Sequence, residues 1–206
     1  MNKKQGYFIT FEGTEGSGKS TQIQEAAAFL RSLGHRLLIL REPGGTRISE
    51  AIREILLSRR FNELRPEAEL LLYLAARSQI VHEKILPALH QGYVVICDRY
   101  EDSTLAYQGY GRDFSLKMID RISRFVRGQV VPDRTFLLDI APEIGLKRGG
   151  RSDRMEKQSM KFHRKVRQGF LKLAQKNRRR FVVIDSSQAR DKVSEIIRER
   201  LQRDLG

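Results

Sequence analysis

Five short runs of the chain are apolar or β-prone at consecutive positions: Tyr7-Phe8-Ile9-Thr10-Phe11, Leu37-Leu38-Ile39-Leu40, Tyr93-Val94-Val95-Ile96-Cys97, Phe136-Leu137-Leu138 and Phe181-Val182-Val183-Ile184. Strands of a parallel sheet read this way, because helices bury both of its faces. Between the runs, apolar positions recur at helical spacing. Ile52, Ile55 and Leu56 share one face, Leu70, Tyr73 and Leu74 share another, and Phe162, Val166, Phe170 and Leu173 step by four, four and three. The last stripe reads as core, with the intervening lysines and arginines on the solvated face. Strands alternating with helices predict an α/β fold, a doubly wound five-stranded parallel sheet with helices on both faces. Ligands of such sheets sit beyond the carboxyl ends of the strands. Asp98, Asp139 and Asp185 follow three of the runs, so carboxylates are expected along that edge. No repeat, low-complexity tract or linker interrupts the 206 residues, and a single domain over 1–206 is expected.

Composition narrows the setting. No stretch reaches the roughly 18 consecutive apolar residues of a membrane span. Residues 1–6 enter the first strand without a signal-like run, and Cys97 is the only cysteine, which excludes an internal disulfide and a cysteine-rich zinc site. A cytoplasmic globular protein is expected. Charge is less ordinary: 39 Lys and Arg against 25 Asp and Glu leave +14. Residues 147–206 hold 19 of those bases and 7 of the acids, so +12 lies in this last stretch. Such a surface could bind nucleic acid or an anionic membrane, or steer a phosphorylated substrate, and charge alone does not choose among them.

Chemistry enters with Gly13-Thr14-Glu15-Gly16-Ser17-Gly18-Lys19-Ser20, a full match to G-x-x-x-x-G-K-[ST] between a strand and a helical run that begins at Lys19. Glycines let successive backbone N–H groups converge on phosphate oxygens, and the helix N-terminus adds its positive dipole end. Lys19 then reaches the outer phosphates, Ser20 offers a hydroxyl to Mg²⁺, and Thr21 continues the cradle. A nucleoside triphosphate with Mg²⁺ is the expected ligand. Arginines crowd the other strand-end segments, whereas His35, His82, His90 and His163 lie in helical or turn contexts and read as surface or packing residues. A kinase whose acceptor is itself a phosphate suits that pattern, because it needs cations more than a base.

Three further segments accompany the phosphate loop: Arg41-Glu42-Pro43-Gly44-Gly45-Thr46, Leu74-Ala75-Ala76-Arg77-Ser78-Gln79, and Asp98-Arg99-Tyr100 running on to Tyr107-Gln108-Gly109. In this order the four resemble the thymidylate kinase family, and the resemblance covers nearly the whole chain. It implies a P-loop NTPase fold with a mobile lid, phosphorylation of dTMP to dTDP by ATP, Mg²⁺ as cofactor and a homodimer, with no specific nucleic-acid partner. It further implies that Glu42 and Pro43 border the dTMP phosphate and that Arg53 contacts it. Tyr73 would stack on thymine, Arg77 would hydrogen-bond the base, and Thr104, Tyr107 and Gln108 would surround base and sugar. Tyr107 would crowd the 2′ position, and Glu15 would lie near the 3′-hydroxyl. Arg99 would bridge donor and acceptor phosphates, and Asp98 would join Ser20 at the metal.

Some relatives place a basic residue inside the phosphate loop, where this chain has Gly16. The resemblance then moves the missing cation to a lid, read over about 147–156, with Arg148 and Arg151 beside Lys19 and Arg99 as the catalytic cations and Arg154 third. Two glycines amid those cations suit a segment that closes and reopens. A kinase for another nucleotide and a nucleic-acid-dependent ATPase are the competing readings. The latter expects aromatic stacking platforms among the basic residues, yet Phe162, Phe170 and Phe181 after Lys147 are already assigned to core or strand.

Overall fold

The computed structural model describes residues 6–148 and 153–206. Strands β1 (Tyr7–Glu12), β2 (Leu37–Arg41), β3 (Val94–Asp98), β4 (Arg134–Asp139) and β5 (Phe181–Asp185) form one parallel sheet in the order β2-β3-β1-β4-β5. The order reverses direction about β1, which lies between β3 and β4. That topological switch opens a crevice at the carboxyl ends of the strands.

The period-two geometry of strands sends alternate side chains to two helical layers. Ile9, Phe11, Val94, Ile96, Phe136 and Leu138 point to one layer, where they meet α1 (Lys19–Ser32) and α9 (Arg190–Leu205). Phe8, Val95 and Cys97 point the other way, against α3 (Pro66–Ile80), a π turn over Val81–Ile85 and α4 (Leu86–His90). On the same side, Leu137 packs under α8 (Met160–Lys176), whose Phe162, Val166, Phe170 and Leu173 form the stripe read from the sequence. The face predicted on α2 (Arg47–Leu57) is only partly covered. Leu56 is fully buried, but Ile55 remains 37% exposed.

Helix starts differ in a way that bears on function. Thr46, Ser115 and Ser159 cap α2, α6 (Leu116–Arg127) and α8 with side-chain oxygens. α1 starts at Gly18 (φ 87°) with no capping side chain, so its first N–H groups are left for a ligand. After β3, a short helix α5 (Glu101–Thr104) widens into a π segment over Leu105–Gly111 that carries Tyr107 and Gln108 toward the crevice. After β4, α7 (Pro142–Arg148) lies against the phosphate loop.

Candidate active site

The crevice holds a cavity of about 540 Å³. One end is the phosphate loop, with Glu15 through Thr21 in its wall and Gly13 and Thr14 buried behind. Positive φ at Gly13, Gly16 and Gly18 (143°, 65° and 87°) makes the loop possible without side-chain clash. Lys19 folds back and donates to the Gly13 carbonyl (3.1 Å), the Thr14 carbonyl (3.0 Å) and Ser17 Oγ (3.4 Å). Burial and the neighbouring Arg99 push its ammonium down to about 8, against the pull of Asp98, Glu15 and Glu12. A bound phosphate would supply the counter-charge that these neutral acceptors lack.

The other end is built by the turn after β2 and by α3. Gly44 and Gly45 (φ 137° and 84°) turn the chain, and Glu50 accepts from the Gly45 N–H (2.8 Å). Arg53 reaches back to the Pro43 carbonyl (2.7 Å). Buried Arg77 donates from Nε (2.8 Å) and one terminal nitrogen (2.7 Å) to Glu42. Burial opposes its charge, but Glu42 more than restores it, so the guanidinium stays protonated. Its remaining terminal nitrogen is buried without a partner. Facing the same space, Gln108 gives its amide N–H to Glu69 (2.8 Å). A carboxylate accepts only, so this bond fixes the amide and leaves the Gln108 carbonyl oxygen for the cavity. This end therefore offers a fixed donor and a fixed acceptor beside the Tyr73 ring.

The two ends meet at Arg99, a non-glycine residue at φ 67°. Its guanidinium donates to the Gly13 carbonyl (2.9 Å), Ser103 Oγ (3.2 Å) and Glu15 Oε1 (3.2 Å), and stands over the Tyr107 ring, 5.2 Å from its centroid. Tyr107 donates its hydroxyl to the same Glu15 oxygen (2.5 Å). Burial alone would raise the Glu15 carboxyl, but Arg99, Lys19 and the Tyr107 hydroxyl bring it below its ordinary value. Underneath, Glu12 accepts from the Tyr100 N–H (2.8 Å) and from Ser103 Oγ (2.6 Å), the hydroxyl that receives Arg99. Asp98 ends β3 with one carboxylate oxygen buried and unpartnered, and it shares the cavity wall with Ser20. One carboxylate plus one hydroxyl fits Mg²⁺, which takes few protein ligands and completes its shell with phosphate oxygens and water. No group of three or more His, Cys, Asp or Glu suited to a metal occurs among the described residues.

A sequence profile of the thymidylate kinase family matches residues 11–197. The chain is 50% identical over 191 residues to a thymidylate kinase of Geobacter sulfurreducens, covering 88% of this chain and 90% of that one. It is 47% identical over 192 residues to one of Deinococcus radiodurans, covering 92% and 93%. The crystal structure of thymidylate kinase from Ehrlichia chaffeensis superposes with a TM-score of 0.79 at 36% identity, covering 96% of this chain and 98% of that one. The chain belongs to the thymidylate kinase family. It is a P-loop phosphotransferase that binds ATP and phosphorylates dTMP.

The structure brings together most of the residues singled out for a thymidylate kinase. Ser17, Lys19, Ser20, Glu42, Pro43, Arg53, Tyr73, Arg77, Asp98, Arg99, Thr104, Tyr107 and Gln108 all line the cavity. Arg148 lines it as well, with its guanidinium donating to the Ser186 carbonyl (3.1 Å) in the loop after β5. Arg151 lies outside the described residues. Arg154, the third lid candidate, does not face the phosphate loop. It is buried, pairs with Glu69 (2.6 Å) and donates to the Leu56 carbonyl (3.0 Å), so it anchors this segment to α2 and α3. Asp139 and Asp185 also leave the site, because Arg167 takes the first through two bonds (2.7 and 2.8 Å) and Ser187 takes the second.

Sequence reasoning missed Glu12, Glu69 and Ser103, which hold functional side chains from behind. It also passed over His163, which is fully buried close to Glu15. An acidic residue just before the phosphate loop was the one available signal, for Glu12. Gly16 has a reason that sequence did not show. A Cβ there would run into the Gly145 carbonyl of α7, and a Cβ on Gly145 would run into the Glu15 carbonyl. The loop and α7 touch backbone to backbone, which leaves no room for a basic side chain. Gly16→Arg is therefore expected to lower kcat at least about 100-fold, the scale of losing a catalytic donor, instead of adding a catalytic cation. Steady-state kinetics and ATP affinity check this, and wild-type turnover by the variant would contradict it.

Proposed function

We propose that the cavity binds dTMP and ATP end to end, with thymine between Tyr73, Arg77 and Gln108 and the ATP phosphates on the loop from Gly13 to Thr21. The observation that carries this reading is the fixed donor–acceptor pair of Arg77 and Gln108, each held by its own buried carboxylate. Thymine presents a 4-keto acceptor beside an N3–H donor, which complements the pair. Cytosine presents a 4-amino donor beside a bare N3 and leaves both protein groups mismatched, and buried unpaired groups are costly.

The acceptor phosphate is already anionic, so no side chain need remove a proton from it. Arg53 and Arg99 hold that phosphate against the charge of the donor, and Lys19 leaves the Gly13 and Thr14 carbonyls for the outer phosphates of ATP. Ser20 and Asp98 would hold Mg²⁺, which when bound neutralises charge on the donor phosphates. Glu15 keeps Arg99 and Tyr107 oriented along the sugar. The chain acts as one nucleotide-kinase domain over residues 1–206. Residues 147–156 serve as its lid, hinged on the Arg154 anchor, and Arg148 and Arg151 bring cations to the donor side.

A homodimer is the assembly this surface supports, because Ile48, Ile55 and Leu71 on α2 and α3, with Met118 and Phe125 on α6, are apolar and exposed, Phe125 to 87%. No helix among the described residues is long and apolar enough to cross a membrane, and we place the enzyme in the cytoplasm. Nucleic acid is not part of this reading. Arg154, Arg164, Lys165, Arg167 and Arg180 from the basic stretch are paired with acidic residues of the protein itself.

ADP release from ATP and Mg²⁺, measured with each monophosphate in turn, tests the assignment. A site built around hydrogen bonds to the base is expected to favour dTMP over dCMP by at least about 10³ in kcat/KM. Faster turnover of dCMP, AMP or GMP would contradict it.

A further inference from the structure

His163 is fully buried, and neither ring nitrogen has a hydrogen-bond partner. It lies on the first turns of α8, four residues after the capping Ser159, and its ring meets Phe162 edge-on at 5.6 Å. An imidazole always carries at least one N–H, so complete burial without an acceptor is a costly way to fill space that an apolar ring would fill as well. The acidic group facing it is Glu15, with Nδ1 at 3.7 Å from Oε2. That oxygen is buried and unpartnered too, whereas Oε1 is engaged by Tyr107 and Arg99. An orphaned donor and an orphaned acceptor thus face one another across a gap less than an ångström beyond hydrogen-bonding distance.

We propose that His163 is a positioning residue for the phosphate loop: with nucleotide bound, its Nδ1–H donates to Glu15 Oε2. This bond fixes the carboxylate from behind and holds Oε1 toward Arg99 and Tyr107. It also ties α8, which begins at Met160 a few residues after Arg154, to the loop on which the donor phosphates rest. Movement of α8 against the loop is thereby felt at Arg99, two hydrogen bonds away. The kinetic side of this inference rests on the phosphotransfer reading above; the pairing of the two side chains does not.

Two substitutions separate the bond from packing. His163→Phe keeps a ring and removes both nitrogens, and His163→Asn restores an amide N–H near the place of Nδ1. With ATP and dTMP, the Phe variant is expected to lose about tenfold in kcat with the KM for ATP within about twofold, and the Asn variant to recover to within about threefold of wild type. In a Glu15→Ala background, adding His163→Phe is expected to cost less than about twofold more, because the partner is already gone. A Phe variant with wild-type kcat, or a loss that multiplies in full with that of Glu15→Ala, overturns the proposal.

Because buried substitutions can disturb folding, nitrogen NMR of the wild-type ring supplies an independent measurement. With ATP and dTMP bound, Nδ1 is expected to carry hydrogen, and its signal to move in Glu15→Ala; a bare Nδ1 overturns the proposal. Wild-type turnover of dTMP is measured alongside. Its absence would remove the substrate assignment, while the ring spectrum with ATP alone still reads the pairing.

Discussion

Arg99 is the point at which the walls of the cavity are held together. Its backbone N–H bonds to the Phe11 carbonyl (2.9 Å), which ties the end of β3 to β1. Its φ of 67° is a conformation that side chains other than glycine rarely adopt. Strain of that kind persists only where the surroundings over-determine it. Here the Gly13 carbonyl, Ser103 and Glu15 each take a guanidinium N–H. The side chain thus spans the phosphate loop and the helix after β3, and it stands over Tyr107 in the π segment. A displacement in any of these walls moves the Arg99 guanidinium, the cation proposed above to face both phosphates.

The rest of the site follows the same logic of carboxylates set behind functional groups. Glu42 holds Arg77, Glu69 holds Gln108, Glu15 holds Arg99 and Tyr107, and Glu12 holds Ser103. Burying so many charges does little for stability, since desolvation offsets much of each Coulombic gain. What it achieves is orientation before substrate arrives, so that donors and acceptors need not reorganise during transfer. Glu69 does most in this respect. It receives Gln108 from the wall proposed to hold the base, Arg112 from just after the π segment and Arg154 from the proposed lid segment, and so ties these three parts of the chain to one carboxylate.

The parts of this arrangement that face the ligand were legible in the sequence, because each lies in a short segment with its own pattern. The glycines of 13–18 announce a loop, the turn at Pro43-Gly44-Gly45 ends β2, and Asp98-Arg99 ends β3. The supporting parts were not legible, because their partners are remote: Gln108 is 39 positions from Glu69, and Ser103 is 91 from Glu12. Glu69 and His163 look like ordinary helix residues until the fold turns them inward. The basic last stretch left its partners open for the same reason. Arg180 pairs with Asp102 at 78 positions' separation and Arg190 with Glu25 at 165, so charge that is unbalanced along the chain is in good part balanced in space. Ile55 shows the reverse. Its helical spacing placed it on one face with Ile52 and Leu56, yet the fold buries Leu56 and leaves Ile55 partly at the surface.

Replacing Arg99 by lysine gives the most direct test of the site as a whole, because the charge is kept and the fork of donors is lost. A single ammonium cannot serve the Gly13 carbonyl, Ser103 and Glu15 together with the two phosphates proposed for this side chain. In single-turnover experiments with saturating ATP, Mg²⁺ and dTMP, Arg99→Lys is expected to slow phosphoryl transfer at least about 100-fold while each nucleotide's Kd changes by less than about fivefold. A transfer rate within twofold of wild type would contradict the role given to Arg99 as the cation that joins the two halves of the cavity.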